Sequence, residues 1–315
     1  CRKPSILPSN QSPLGALPAR FRRPRVLIIG CGDVGMRVVR AMGARVQWMA
    51  LTSSPDRVPA LRQAGVRPLL GNLDRPVTLH RLAGLADRVL YLAPPPTEGW
   101  SDPRILQATQ ALRRRNPPRA LVYGSTTGVY GDCQGQWVTE ERVLAPQTPR
   151  AQRRVHAEAA VRTWGKATGT PVSVLRIPGI YAPDRVGGTP KTRLQKGTPV
   201  LQADDDVYTN HIHAEDLAAA CWRALWKGAP QRVYNVCDDT RLKMGDYFDL
   251  AADLYGLPRP PRVPRGTAVE QLPVMLLTFM SESRRINNNR MKAELGLKLR
   301  YPDVATGLVS SPDGA

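Results

Sequence analysis

The sequence predicts an α/β protein: a doubly wound parallel sheet with a smaller C-terminal lobe. Three observations carry that prediction. Short apolar runs alternate with amphipathic helical stretches from Val26 to Ile177. A Gly-x-Gly-x-x-Gly run, Gly30 to Gly35, joins the first strand to the first helix. Past Gly179 the alternation gives way to a loop-rich region. Parallel strands buried on both faces read as continuous β-branched and leucine runs, and helices at each crossover supply the covering layers.

Taken in order, Val26-Leu27-Ile28-Ile29 is the first buried strand, and the helix after Gly35 carries Val38, Val39 and Met42 on one face. Val46 to Leu51 is the second strand, followed by a helix with Val58, Leu61 and Ala64. A short strand near Pro68–Leu70 precedes a helix at Leu79 to Leu85 and a strand at Val89 to Leu92. A helix from Pro103 to Arg115, a strand Ala120 to Tyr123, a helix Arg150 to Trp164 and a strand Val172 to Ile177 complete the series. Residues 183–206 are loop-like. The alternation Val207 to His213, the helix Glu215 to Trp226 and the strand Arg232 to Val236 read as a return to the main sheet. Helices at Asp246 to Tyr255, 268–280 and 287–295 belong to the lobe. The organisation expected is a disordered basic tail at 1–24, a nucleotide-binding domain at 25–182, a substrate lobe mainly at 183–302 with 207–236 returning to the sheet, and a tail at 303–315.

Composition narrows the function. The chain has 315 residues, 42% hydrophobic and 23% charged, enough for a sizeable core. The longest nearly unbroken apolar stretch, Leu272 to Met280, is too short to span a bilayer, so no membrane partner is expected. The net charge of +19 invites a nucleic-acid reading, but only eight of the 45 basic residues are lysine. The arginines are scattered and no basic stretch alternates with stacking aromatics, so no specific nucleic-acid partner is expected. Such a surface field still favours small anions. Five cysteines without Cys-x-x-Cys spacing suggest neither a disulfide framework nor zinc, and fit a cytoplasmic location. Residues 1–25 contain no acid and no apolar signal core. Disordered tail, transit peptide and lipidated Cys1 are the readings of that segment.

The glycine run is the strongest chemical signal. Placed between strand and helix, it matches a dinucleotide fingerprint. Gly30 permits the tight turn, Gly32 lets the backbone approach a diphosphate, and Gly35 lets helix and strand pack closely. Asp33 and Val34 complete the turn, whose unpaired N–H groups face the phosphates. At the end of the second strand, where NAD binders place an acid on the ribose, the chain reads Thr52-Ser53-Ser54-Pro55-Asp56-Arg57. Ser53, Ser54 and Arg57 suit a 2′-phosphate, which favours NADP. Asp56 makes the opposite case for NAD.

Further stretches carry a resemblance. Gly71-Asn72-Leu73-Asp74, Leu92-Ala93-Pro94, Tyr123-Gly-Ser-Thr-Thr-Gly-Val-Tyr130-Gly131, Arg176-Ile-Pro-Gly-Ile-Tyr181 and His211-Ile-His-Ala-Glu-Asp-Leu-Ala218 follow one another in order. From Gly30 to about Tyr301 the chain resembles the NAD(P)-dependent epimerase/dehydratase family, the extended short-chain dehydrogenase/reductases, and most of all their atypical members. The resemblance implies a Rossmann domain, with Asn72 and Leu73 beside the adenine and Ala93 and Pro94 under the cofactor.

It also exposes a departure. The family's chemistry rests on a Tyr-x-x-x-Lys pair, and no such pair occurs in this chain. Counting back from Glu158 places Arg154 at the lysine position and Arg150 at the tyrosine position. Thr126 keeps the family's upstream hydroxyl, and Asp102 falls loosely on its asparagine. Residues 150, 154 and 158 share one helix face. Arginine cannot exchange a proton at neutral pH, but it clamps carboxylates and phosphates. Two readings follow: an anion clamp by Arg150 and Arg154, or an Arg154–Glu158 surface pair. Tyr130 and Tyr181 are alternative proton donors. His211 and His213 with Glu215-Asp216 are read as a strand and a helix start, with no metal. Two functions remain: an NADP-dependent (or NAD-dependent) oxidoreductase acting on a small, anionic substrate with a degenerate catalytic site, and a non-catalytic NADP-binding sensor or regulatory protein. A homodimer is left open.

Overall fold

The computed structural model describes residues 23–310. Its first half runs β1 (Arg25–Ile29), α1 (Asp33–Met42), β2 (Gln47–Thr52), α2 (Val58–Gln63), β3 (Val66–Leu70), β4 (Arg88–Tyr91), α3 (Pro103–Leu112), β5 (Ala120–Thr126) and β6 (Trp137–Val138). Then come α4 (Pro149–Thr168), β7 (Val172–Ile177), β8 (Gly179–Tyr181), α5 (Lys191–Gln195), β9 (Val200–Leu201), β10 (His211–His213), α6 (Ala214–Lys227) and β11 (Arg232–Asn235). The chain continues with α7 (Met244–Tyr255), β12 (Arg262–Val263), α8 (Arg265–Gln271), α9 (Val274–Met280), β13 (Arg285–Ile286), α10 (Asn289–Leu295) and α11 (Val304–Leu308).

Seven parallel strands form the central sheet in the order β11-β7-β5-β4-β1-β2-β3. Strand alternation splits the core in two. Val26 and Ile28 face a layer that contains Val38 and Val39 of α1, Leu217 of α6 and Met291 of α10. Leu27 and Ile29 face the opposite layer, with Ile105 of α3 and Ala157 and Val161 of α4. The sheet is therefore doubly wound, as expected. The chain leaves β1 toward β2 and β3 on one side and returns to β4 on the other, so a crevice opens at the carboxyl ends of β1 and β4. The lobe packs around Val200, Tyr247, Phe248 and Ala268.

Several expectations change, beginning with residues 183–206, read as loop-like, which carry α5 and β9. β10 does not join the main sheet; it pairs with β8, His211 opposite Gly179. Pro178, which has no N–H to donate, separates β7 from β8 and turns this short pair away from the seven-stranded ladder. The helix expected at Leu79 to Leu85 is a 3₁₀ run over Pro76–Leu82. Residues 303–310, read as part of a tail, carry α11 instead: Val304 and Leu308 lie one turn apart and bury themselves in the lobe core. Asp303 caps that helix by accepting from Thr306 N at 2.8 Å. Of the basic tail expected at 1–24, residues 1–22 lie outside the described residues.

Candidate functional site

The glycine turn opens at the sheet's carboxyl edge. Gly30 has φ +87°, and a Cβ there would lie 2.3 Å from Ala93 N, so this position excludes any side chain. Gly35 packs against Ile28 and Cys31, as helix–strand contact requires. Gly32 is different: a Cβ would meet nothing within 4 Å. It precedes α1 without a side-chain cap, so the amides of the first turn keep their donors directed outward. Open space above uncapped amides suits a diphosphate.

A cavity of about 250 Å³ lies against this turn. Gly30, Gly32, Asp33, Val34 and Gly35 line it together with Ser125, Thr126, Arg150 and Arg154, Ile180 of β8, and Arg185 of the lobe. Sequence-predicted residues from β1, β5 and α4 thus converge. Ser53, Ser54, Arg57, Asn72, Leu73, Ala93 and Pro94 lie outside the cavity lining, at or just beyond the carboxyl ends of β2, β3 and β4. Arg57 folds back over the turn and donates to the Cys31 carbonyl at 2.7 Å. Asn72 is held through its amide, which donates to Thr78 Oγ1 at 2.8 Å.

α4 supplies the cations. Thr148 caps it through Ala151 N, and no acid occupies its first turn. Arg154 is buried and donates from Nη1 to the Gly124 carbonyl at 2.7 Å and to the Tyr123 hydroxyl at 3.0 Å. Its Nε has no partner among the described residues. Arg150 stands one turn earlier at the cavity mouth. Partial desolvation there, reinforced by Arg154 and Arg153, lowers its pKa. The Arg154–Glu158 surface pair is not formed. Glu158 is buried and binds Arg176 of β7 (Nη2 at 2.8 Å) while accepting from Ser125 Oγ at 2.5 Å.

The alternative proton donors are engaged elsewhere. The Tyr130 hydroxyl donates to Asn235 Oδ1 at 2.7 Å and accepts from Arg176 Nη1 at 2.8 Å. Burial pushes its pKa up to about 12 against the pull of Arg176. Tyr181 donates to the Asp303 carbonyl at 3.1 Å, and burial likewise raises it. Neither lines the cavity. Thr126 does, although its Oγ1 also accepts from Gly128 N at 3.3 Å. Asp102 is buried as the cap of α3, accepting from Arg104 N and Ile105 N, and desolvation raises its pKa.

His211 and His213 are buried, and desolvation pushes both down to about 4. His213 Nδ1 accepts from Glu215 N at 3.2 Å, while His211 stacks on Tyr247 at 4.3 Å. Among the described residues no group of three or more metal-ligating side chains comes together. Burial raises the Cys31 thiol to about 11 and the Cys221 thiol to about 12, away from reactivity. A second cavity of about 330 Å³, between 238–241 and 286–289 beside Trp137, contains none of the predicted site residues.

Two participants were not singled out from sequence. Ser125 faces the cavity and ties it to Glu158. Arg185 crosses from the lobe to Asp33 at 2.6 Å. Ser125 stands beside Thr126 in the same run, which was a usable signal. Nothing local marks Arg185.

The family model described as the NAD dependent epimerase/dehydratase family matches residues 26–237. Protein YeeZ of Escherichia coli (strain K12) is 27% identical over 290 residues, covering 89% of this chain and 97% of its own length. A functionally unknown conserved protein from Silicibacter pomeroyi DSS superposes with a TM-score of 0.75 at 31% identity, over 90% of this chain and 96% of that one. The dTDP-glucose 4,6-dehydratase of Bacillus anthracis, solved in complex with NAD, superposes at 0.74 with 18% identity over 90% and 94%, a likeness of fold.

Proposed function

The chain belongs to the NAD dependent epimerase/dehydratase family, and from that premise we propose that it is an NADP-dependent oxidoreductase whose substrate is a small anion. Gly30 to Gly35 hold the diphosphate. Ser53, Ser54 and Arg57 hold the 2′-phosphate, and Asn72, Leu73, Ala93 and Pro94 border the remaining length of the cofactor. A bound nicotinamide supplies hydride exchange. Thr126 orients the reacting oxygen, and Arg150 and Arg154 grip the substrate's anionic group.

One observation carries this reading: Arg150 and Arg154 occupy the first turns of a 20-residue helix, beside the cavity. A cation in the first turn, as Arg150 is, opposes the macrodipole by about 0.3–1 kcal/mol. Arg150 also faces the like charges of Arg153 and Arg154. Among the described residues no acidic side chain pairs with Arg150 to offset that repulsion, whereas an anion in the cavity would. Sugar nucleotides and small carboxylates meet that description.

The engaged hydroxyls of Tyr130 and Tyr181 favour the second reading, a dinucleotide sensor without turnover, because among the described residues no tyrosine lines the cavity. Calorimetry with NADPH and NADH, followed by turnover assays on sugar nucleotides and small carboxylates, separates the two. Binding with turnover supports the enzyme. Tight binding without turnover supports the sensor, and absence of binding to either nucleotide discards both.

A further inference from the structure

Asp33 presents an electrostatic difficulty. It stands in the first turn of α1 and lines the cavity where the diphosphate is proposed to sit. A bare carboxylate there would repel a phosphate, so its neutralisation matters. Two arginines supply it, and they are not equivalent.

Arg37, one turn along α1, is only 3% exposed. It donates to Asp33 Oδ1 at 3.1 Å, to Asp184 Oδ1 at 2.8 Å and to Glu215. Three carboxylates therefore surround one guanidinium, which fixes Arg37 in place. Arg185 meets the other carboxylate oxygen. Its Nη1 reaches Asp33 Oδ2 at 2.6 Å across 152 residues of sequence, and its side chain lines the cavity. The backbone behind it is well anchored. Arg185 N donates to the Ala182 carbonyl at 3.2 Å, Gly188 N donates to the Arg185 carbonyl at 2.9 Å, and neighbouring Asp184 is held by Arg37. Asp33 is thus already paired with Arg37, and Arg185 makes a second, exchangeable contact at the edge of the cavity.

We propose that Arg185 is a phosphate-binding residue of the cofactor cavity, parked on Asp33 until a dinucleotide diphosphate accepts its guanidinium. The inference rests on the dinucleotide reading and adds a ligand contact from the lobe, which would couple cofactor occupancy to the position of loop 182–188. A guanidinium has five donors in a planar fork, so it can bind a phosphate oxygen while retaining or releasing the carboxylate. Charge-assisted contacts of this kind are the strong ones, about tenfold or more in affinity. Asp33 acts in the opposite sense, as a competitor for the same cation and a negative charge beside the ligand.

Titration calorimetry of wild type, Arg185→Ala, Asp33→Asn and the double variant, each with NADPH and with NADH, tests this. Arg185→Ala is expected to weaken nucleotide binding about tenfold, and Asp33→Asn to tighten it several-fold. Removing Arg185 should cost more affinity in the Asp33→Asn background, where the competitor is gone. Wild-type binding with an Arg185→Ala affinity within twofold overturns this inference and leaves the dinucleotide reading standing. No wild-type binding overturns both. Should Arg185→Ala melt early, Asp33→Asn decides: weaker or unchanged binding overturns the proposal.

Discussion

Glu158 and Arg176 form a buried ion pair, with Nη2 2.8 Å from Oε2 and both side chains at most 4% exposed. The pair joins α4 to β7 and extends to Ser125 on β5 and Tyr130 beyond it. It therefore ties α4, the helix that carries Arg150 and Arg154, to β7.

Breaking that pair from one side should be costly, because the remaining charge is stranded without water. Arg176→Met is expected to lose about 3–5 kcal/mol of stability. Urea denaturation monitored by circular dichroism measures it; a loss under 1 kcal/mol would show that Glu158 finds another partner.

The two glycines should part company. Gly30→Ala places a Cβ against Ala93 in a backbone region that L residues avoid, so the fold itself should suffer. Gly32→Ala meets open space at an ordinary negative φ and should leave stability within about 0.5 kcal/mol. Nucleotide affinity should nonetheless fall, since the methyl occupies the phosphate's approach. Paired melting and calorimetry compare the effects; equal loss of stability at both positions would contradict the geometry.

The two arginines of α4 should also separate. Arg154→Ala leaves the Gly124 carbonyl and Tyr123 hydroxyl without their donor and should cost about 1–3 kcal/mol. Arg150→Ala removes a cation from a helix N-terminus and should leave the fold unchanged or stabilise it by up to about 1 kcal/mol. Its effect belongs to the ligand: KM for an anionic substrate, once turnover is found, should rise about tenfold. A stable Arg150→Ala protein with an unaltered KM would remove Arg150 from the clamp.

Stability should peak near pH 6.5. His211 and His213 are pushed down to about 4 from an ordinary 6.5. Between those values the unfolded chain binds protons that the folded chain refuses, so acidification destabilises, with a slope of about 1.4 kcal/mol per pH unit for each group. Desolvation raises Asp238 to about 8 from 3.8, which has the opposite sign: its contribution fades as pH rises through that window. Just below 6.5 the two imidazoles outweigh Asp238, while Asp102, Asp206 and Asp216, also raised by burial, oppose them further toward acid; above 6.5 Asp238 works against stability. Denaturation midpoints between pH 4 and 8 would show this. Asp238→Asn should flatten the alkaline limb, and a flat wild-type profile would contradict the assignment.

Much of this protein was legible in one dimension because its signals are local. The run Val26 to Ile29 declares a strand buried on both faces, and Gly30 to Gly35 declares the turn, since backbone geometry and side-chain size act at the residue that carries them. The four-residue spacing of Arg150 and Arg154 placed both on one helix face, and both line the cavity. Val304 and Leu308 carried the same kind of signal for α11, though too briefly for periodicity to stand out.

What the chain's order alone could not decide was the pairing of charges. Spacing offered Glu158 to Arg154, yet the fold brings Arg176 closer, in a buried place where a carboxylate needs a partner with well-aligned donors. Asp33 meets Arg185 only because the crossover after β7 returns the lobe to the first turn of α1. Local sequence determined the sheet, the glycine turn and the cationic helix face. Tertiary structure chose which cation serves which anion, because electrostatic pairing depends on distance and burial, and both are set only once distant segments have packed.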